Sequence, residues 1–206
     1  MAWNPEAFRT QRTQQHFGDG AYYGFLLALV IYNFALAVVM RQAAYIYAAF
    51  FQLCTGAIIF INTGYSLLFL IPNNVAYTVP IFASVTVFAS VTAGLFSISI
   101  LRMNQYSRLL YNAWRALVVF GFLQLPLVFF TTIPGDISPN SNRTLLTLNA
   151  LVFLLSQILH VYTLVYFWNK VSIAKFWFIA VTFQVWMVMA WTLSAANGVS
   201  FADIFR

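Results

Sequence analysis

Charge is what this sequence has least of. Ten basic and four acidic side chains serve 206 residues, 7% of the chain, where an ordinary soluble domain carries roughly a quarter. Hydrophobic residues make up 62%, and the mean hydropathy is +0.82. So few charged groups do not cover that much apolar surface in water, so lipid is the solvent for most of the chain. Its length is then used up by helices and short loops, without room for a second, soluble domain. No Asp, Glu or Lys falls in the middle of an apolar run. Proton-coupled transporters and pumps draw on intramembrane carboxylates, and a retinal protein needs a mid-membrane lysine; Lys170 and Lys175 stand at run ends. Cysteine is nearly absent as well: Cys54 is alone, which excludes an internal disulfide and any cysteine metal motif. It reads as a small buried apolar residue. The net charge of +6 does not imply nucleic acid, because the basic residues are scattered at the ends of apolar segments.

What is present is length of apolar run. In "FGDGAYYGFLLALVIYNF" the charge stops at Asp19, and Ala21 to Met40 carries no ionisable group except tyrosine. That matches the roughly 20 residues a helix needs to cross a bilayer core of about 30 Å. Six such spans are expected, at Ala21–Met40, Tyr45–Ile71, Tyr77–Leu101, Tyr111–Ile133, Thr144–Trp168 and Lys175–Asn197. The breaks carry turn chemistry: "MRQAA", "IPNN", "RMNQYSR", "IPGDISPNSNR" and "NKVSIAK". Short breaks set consecutive helices side by side and antiparallel, so the expected fold is an all-α integral membrane protein, an up-down bundle of six transmembrane helices. Residues 1–19 form a polar lead-in, read as an interfacial helix, without the apolar core of a signal peptide. Residues 20–198 form one transmembrane domain, and 199–206 a short tail.

Orientation follows from the basic residues. With the N-terminus outside, the inner side holds Arg41, Arg102, Arg108, Arg115, Lys170 and Lys175 and no acid. The outer side holds Arg9, Arg12, Arg143 and Arg206 with Glu6, Asp19, Asp136 and Asp203. Six basic residues against four favour this arrangement by the positive-inside rule, and both termini then lie on the outer side. Tyr22, Tyr23, Tyr45, Tyr47, Tyr77, Tyr111, Trp114 and Trp168 fit the aromatic belts at the two interfaces.

Polar residues inside the spans are the candidate functional set. Two intramembrane histidines would be needed for a bis-histidine haem, and only His160 qualifies. It reads either as a single axial ligand to a haem or chlorophyll-type pigment, or as a neutral imidazole hydrogen-bonded to a neighbouring helix. The sequence requires no cofactor. Asn33, Gln52, Asn62, Gln124, Asn149, Gln157 and Gln184 are amides that either bond between helices or face a ligand cavity. Arg115 lies near the start of its span, so its stem reaches the inner surface. Gly20 and Gly24, four apart, and Gly64 are candidates for close helix packing, with Asn33 bonding across the first contact. Asn142-Arg143-Thr144 matches a glycosylation sequon that abuts a span.

Several stretches together resemble a family. "EAFRTQRTQQHFGDGAYYGFLLALVIYNFAL" is similar to the entry of the bacterial seven-transmembrane receptors with diverse intracellular signalling modules, in which a glycine, an aromatic pair and a glycine open the first span. Tyr32-Asn33, Arg41, the "YIY" of Tyr45 and Tyr47, Asn62-x-Gly64 and Pro72 follow in that family's order. "LRMNQYSRLL" resembles its third-to-fourth connection, "KVSIAKFWFIAVTF" its fifth-to-sixth, and Asn197-Gly198 the end of its sixth span. The resemblance implies a receptor-like, non-enzymatic sensory or transmission module of the bacterial inner membrane, covering the family's first six spans. Members carry an outer ligand-binding domain, a seventh span and a catalytic effector. None of these is found here, so action through partner subunits is expected. A helix from another subunit is expected to fill the seventh position, beside Asn33 and Gln184. The other reading is an accessory subunit of a larger membrane complex, structural or pigment-holding, surrounded by membrane lipids.

Overall fold

The computed structural model describes residues 5–69, 78–131, 139–171 and 175. The expected sixth span with Gln184, and the tail 199–206, lie outside these residues. All regular structure among the described residues is helical: α1 Pro5–Met40, α2 Ala43–Asn62, α3 Tyr65–Phe69, α4 Thr78–Ile100, α5 Met103–Tyr106, α6 Arg108–Thr131 and α7 Pro139–Phe167. α4 is rich in Val, Thr, Ile and Ser, types that favour strands or turns in water. In lipid a strand has no partner for its backbone, and the helix closes every bond internally. Its hydroxyls do the same. Ser84, Thr86, Ser90, Thr92 and Ser97 each donate to the carbonyl four residues back, at 2.7 to 3.1 Å.

Three helical stretches are long and apolar enough to cross a membrane: Gly20–Met40, Ala43–Asn62 and Pro80–Ile100. The lead-in is no separate segment. α1 runs unbroken for 36 residues, about 54 Å at 1.5 Å per residue, so the polar stretch continues the first span as one helix. Pro5 stands at its first position, where a missing N–H costs nothing. The second expected span is shorter than Tyr45–Ile71, because α2 stops at Asn62. Gly64 at φ +80 turns the chain there, with its N–H on the Ile61 carbonyl at 3.1 Å. Its conformation, and not close packing, is what needs a glycine: no described atom lies within 4 Å of where its Cβ would sit.

Two tight reversals hold arginines in the left-handed region, Arg41 at φ 50 between α1 and α2, and Arg102 at φ 46 between α4 and α5. Ser107 accepts the Leu110 N–H at 3.3 Å and caps α6. α4 is the hub, touching α2, α6 and α7, while α1 packs chiefly on α2. α2 and α4 run antiparallel, Cys54 and Ile58 meeting Ala89 with Phe82, Val85 and Phe88 around them. α6 returns along α4, and α7 along α6, so that Leu101, Met103, Leu110, Trp114 and Phe167 close one end as a buried cluster. Arg41, Arg102, Arg108 and Lys170 all lie at that end.

Candidate functional site

The close contacts of the bundle are made by glycines other than those the spacing suggested. A Cβ on Gly56 would lie 3.1 Å from the Leu26 side chain, one on Gly94 2.9 Å from Val118 and 3.1 Å from Trp114, and one on Gly121 2.5 Å from Val91. No described atom lies within 4 Å of the same position on Gly20 or Gly24. The expected Gly20–Gly24 contact is therefore not made by any described neighbour: α1 turns these positions away from α2. The signal that identifies the packing glycines is a bulky residue opposite on another helix, which spacing along one helix does not contain.

Asn33 donates both amide hydrogens, to the Leu29 carbonyl at 2.9 Å and to Gln52 Oε1 at 3.1 Å. The second bond ties α1 to α2, and such bonds contribute about 0.6 kcal/mol on average. The Asn33 amide hydrogens are thus met within α1 and α2, while Gln184, the other residue expected beside a seventh helix, lies outside the described residues. Arg115 is exposed, with its guanidinium 5.7 Å from the centroid of the Tyr111 ring, four residues earlier on the same face. Gln157 is half-buried, with its Nε2 3.5 Å from Ser156 Oγ.

The densest buried polar group joins α6 and α7 beside Gly94 of α4. Trp114, expected in an interfacial belt, is instead fully buried, because Gly94 leaves room for its ring. Its Nε1–H donates to Thr163 Oγ1 at 2.9 Å. His160 packs edge-on to the Trp114 ring, centroids 4.6 Å apart. Its Nδ1 is 2.7 Å from the Ser156 carbonyl; a carbonyl only accepts, so the neutral ring carries its proton on Nδ1 and Nε2 is the basic nitrogen. The four acids of the sequence lie at 6, 19, 136 and 203, outside the residues whose side chains are described. Among the described residues no three His, Cys, Asp or Glu gather as metal ligands. Edge-on to Trp114, the His160 ring makes a contact between α7 and α6.

Nine polar side chains are buried: Thr55, Ser66, Ser90, Thr92, Ser97, Gln124, Ser156, His160 and Thr163. Seven have a hydrogen bond, mostly to a carbonyl on the preceding turn. Ser66 and Gln124, 1% and 5% exposed, have none. Neither do the buried amide nitrogen of Asn62 or the buried hydroxyl of Thr78. An unsatisfied buried group costs about 1–3 kcal/mol, so these four atoms-bearing positions are expensive where they stand. Ser66 and Thr78 escaped the sequence reading, since a hydroxyl in a helix ordinarily bonds its own backbone.

A family model described as "7TM diverse intracellular signalling" matches residues 15–205. No curated protein matches the chain, and no solved structure does.

Proposed function

Since the chain belongs to the 7TM diverse intracellular signalling family, a membrane sensory family, we propose that it is a non-enzymatic receptor-like module that passes a signal across the membrane to partner subunits. The observation that carries the reading is the family match over residues 15–205. The bundle is read as six spans, up and down, in the bacterial inner membrane, with both termini outside. The charge distribution supports that orientation: Arg41, Arg102, Arg108 and Lys170 share one end of the helices, and the positive-inside rule puts that end in the cytoplasm. Contact with partners is supported by α1, whose Phe25, Leu27, Ile31, Val38 and Val39 are exposed while α2 is its chief neighbour.

Two measurements test it. With Cys54 replaced by alanine, single cysteines at the exposed Phe69 and Gln105 are labelled on intact cells with an impermeant maleimide. Labelling at 69 and none at 105 is expected, and the reverse refutes the orientation. A photo-crosslinker at Ile31 or Val38 is expected to capture a protein with a cytoplasmic signalling domain. Capture of energy-converting subunits instead would favour an accessory subunit, and capture of lipid alone would refute action through partners at this face.

A further inference from the structure

One end of the bundle gathers exposed cations. Arg102 and Arg108 bracket the short α5 connection, and Lys170 follows the end of α7; all three are exposed. The connection is held in place: Gln105 N–H donates to the Arg102 carbonyl and Ser107 N–H to the Met103 carbonyl, both at 2.9 Å. Met103 is fully buried with Leu101, Leu110 and Phe167, which ties the connection to α7. Two further contacts bring Lys170 to it. The Tyr166 hydroxyl donates to the Tyr106 carbonyl at 2.9 Å, and the Lys170 ammonium lies 3.4 Å from the centroid of the Tyr166 ring. Arg108 is two residues past Tyr106, at most about 7 Å along the chain. Lys175 joins the group, its ammonium 5.3 Å from the Trp168 ring. The acids stand elsewhere along the described helices. Asp19 is about 30 Å up α1 from Met40, and Asp136 follows the far end of the 24-residue α6; Asp203 lies outside the described residues. Beside the cations the same end exposes apolar groups, Leu109 at 73%, Tyr106 at 48% and Trp168 at 42%.

We propose that Arg108 and Lys170, with Arg102 and Lys175 beside them, bind the headgroup phosphate of an anionic phospholipid, whose acyl chains run along Leu109, Tyr106 and Trp168. The ligand is an oxyanion because guanidinium and ammonium groups only donate hydrogen bonds, and phosphate oxygens only accept them. The Tyr166 ring meets one side of the Lys170 ammonium, a weak exposed contact that leaves its other hydrogens for the phosphate. The lipid carries a net negative charge because a zwitterionic headgroup brings a cation of its own into a cluster of four. It is a lipid, and not a soluble phosphate or an acidic protein, because each cation stands next to an exposed apolar side chain at the end of a helix that enters the bilayer. Leu109 follows Arg108 directly, and Trp168 precedes Lys170 by two residues. A phospholipid covers both kinds of surface at once, while a soluble anion covers only the charge. The site goes beyond the sensory reading and holds whichever leaflet this end meets.

The test uses the purified full chain in mild detergent, with native mass spectrometry and thermal unfolding as readouts. The probes are phosphatidylglycerol and phosphatidylcholine with the same acyl chains, glycerol phosphate as a headgroup without chains, and hexaglutamate as an acidic peptide. Phosphatidylglycerol is expected to bind about fivefold tighter than phosphatidylcholine or more, to raise the melting temperature, and to lose its preference at about 0.5 M salt, where exposed charges are screened. Arg108→Gln and Lys170→Gln are each expected to weaken its binding about fivefold, the contribution of one cation near an anionic surface. Both side chains are exposed, so neither variant should lose helix by circular dichroism. Lys170→Arg keeps the charge and should keep the binding. Arg143→Gln removes a cation at the opposite end of α7 and should leave the binding unchanged. Equal binding of the two lipids, glycerol phosphate or hexaglutamate binding as tightly as phosphatidylglycerol, unchanged binding in both glutamine variants at 108 and 170, or an equal loss in Arg143→Gln overturns the proposal. Crosslinking at Ile31 and Val38 reads partner contact independently, so the lipid site and the signalling role can fail separately.

Discussion

Replacing Gly121 by alanine tests whether α4 and α6 are as close as the bundle requires. The added Cβ would sit 2.5 Å from Val91 Cγ2, about 1 Å inside the optimum carbon separation of roughly 3.5–4.0 Å. Val91 is buried and, being β-branched in a helix, has one strongly preferred rotamer, so it cannot swing aside. The helices must part, and overpacking of this kind costs about 1–3 kcal/mol. Against that, alanine in a helix interior is favoured over glycine by about 0.5–1 kcal/mol. The net expectation is a loss of about 1 kcal/mol, read by circular dichroism during thermal unfolding in mild detergent. Gly24→Ala is the control: no described atom lies within 4 Å of its Cβ, so only the propensity gain acts and stability should rise. Adding Val91→Ala to Gly121→Ala should recover part of the loss, because the two changes share one contact. A Gly121→Ala variant at least as stable as the parent, with Gly24→Ala behaving as expected, would refute the close approach.

Thr163→Val keeps the side-chain shape but leaves the buried Trp114 indole N–H without an acceptor; unfolding should detect a loss of about 1–3 kcal/mol. A double-mutant cycle between Asn33→Leu and Gln52→Leu should return a coupling of about 0.6 kcal/mol, while a coupling of zero would mean their 3.1 Å bond contributes nothing. Gly64→Ala should destabilise by about 1–2 kcal/mol because its φ of +80 burdens any L side chain. Arg102→Gly should do the opposite in an unfolding assay, by relieving the same strain at φ 46.

The first three spans were legible from apolar length, and one helix end was placed to the residue: α1 stops at Met40, where the first run of uncharged residues meets Arg41. The second span was overextended to Ile71, since the apolar run continues through Tyr65–Phe69 while the backbone turns at Gly64. Composition tells how far lipid reaches; a positive φ tells where the helix stops. Asn33 and Gln52 were both visible as intramembrane amides, but their pairing depends on how α1 slides against α2, and nothing in either helix alone encodes that. Trp114 illustrates the same limit. Near the start of its helix it has the address of a belt residue, and what buries it is Gly94, on a different helix.

Pro126 bears on how the two ends of the bundle differ. Below it, α6 is locked to α4 by Gly94 against Trp114 and by Gly121 against Val91. At Pro126 itself the backbone ladder lacks one bond, the one that an N–H at 126 would give the Phe122 carbonyl. In a membrane helix a gap of this kind is ordinarily met by neighbours, yet Gln124, beside it, has no partner for either amide atom. The ladder is therefore weakest next to the unpartnered amide. Pro126→Ala restores the missing N–H, so amide hydrogen exchange across Gly121–Thr131 should slow while exchange at Trp114 stays unchanged, and the protein should unfold at a higher temperature. Unchanged exchange across the turns around Pro126 would show that the gap leaves the helix as stiff as its neighbours, and that the difference between the two ends lies in side-chain satisfaction alone.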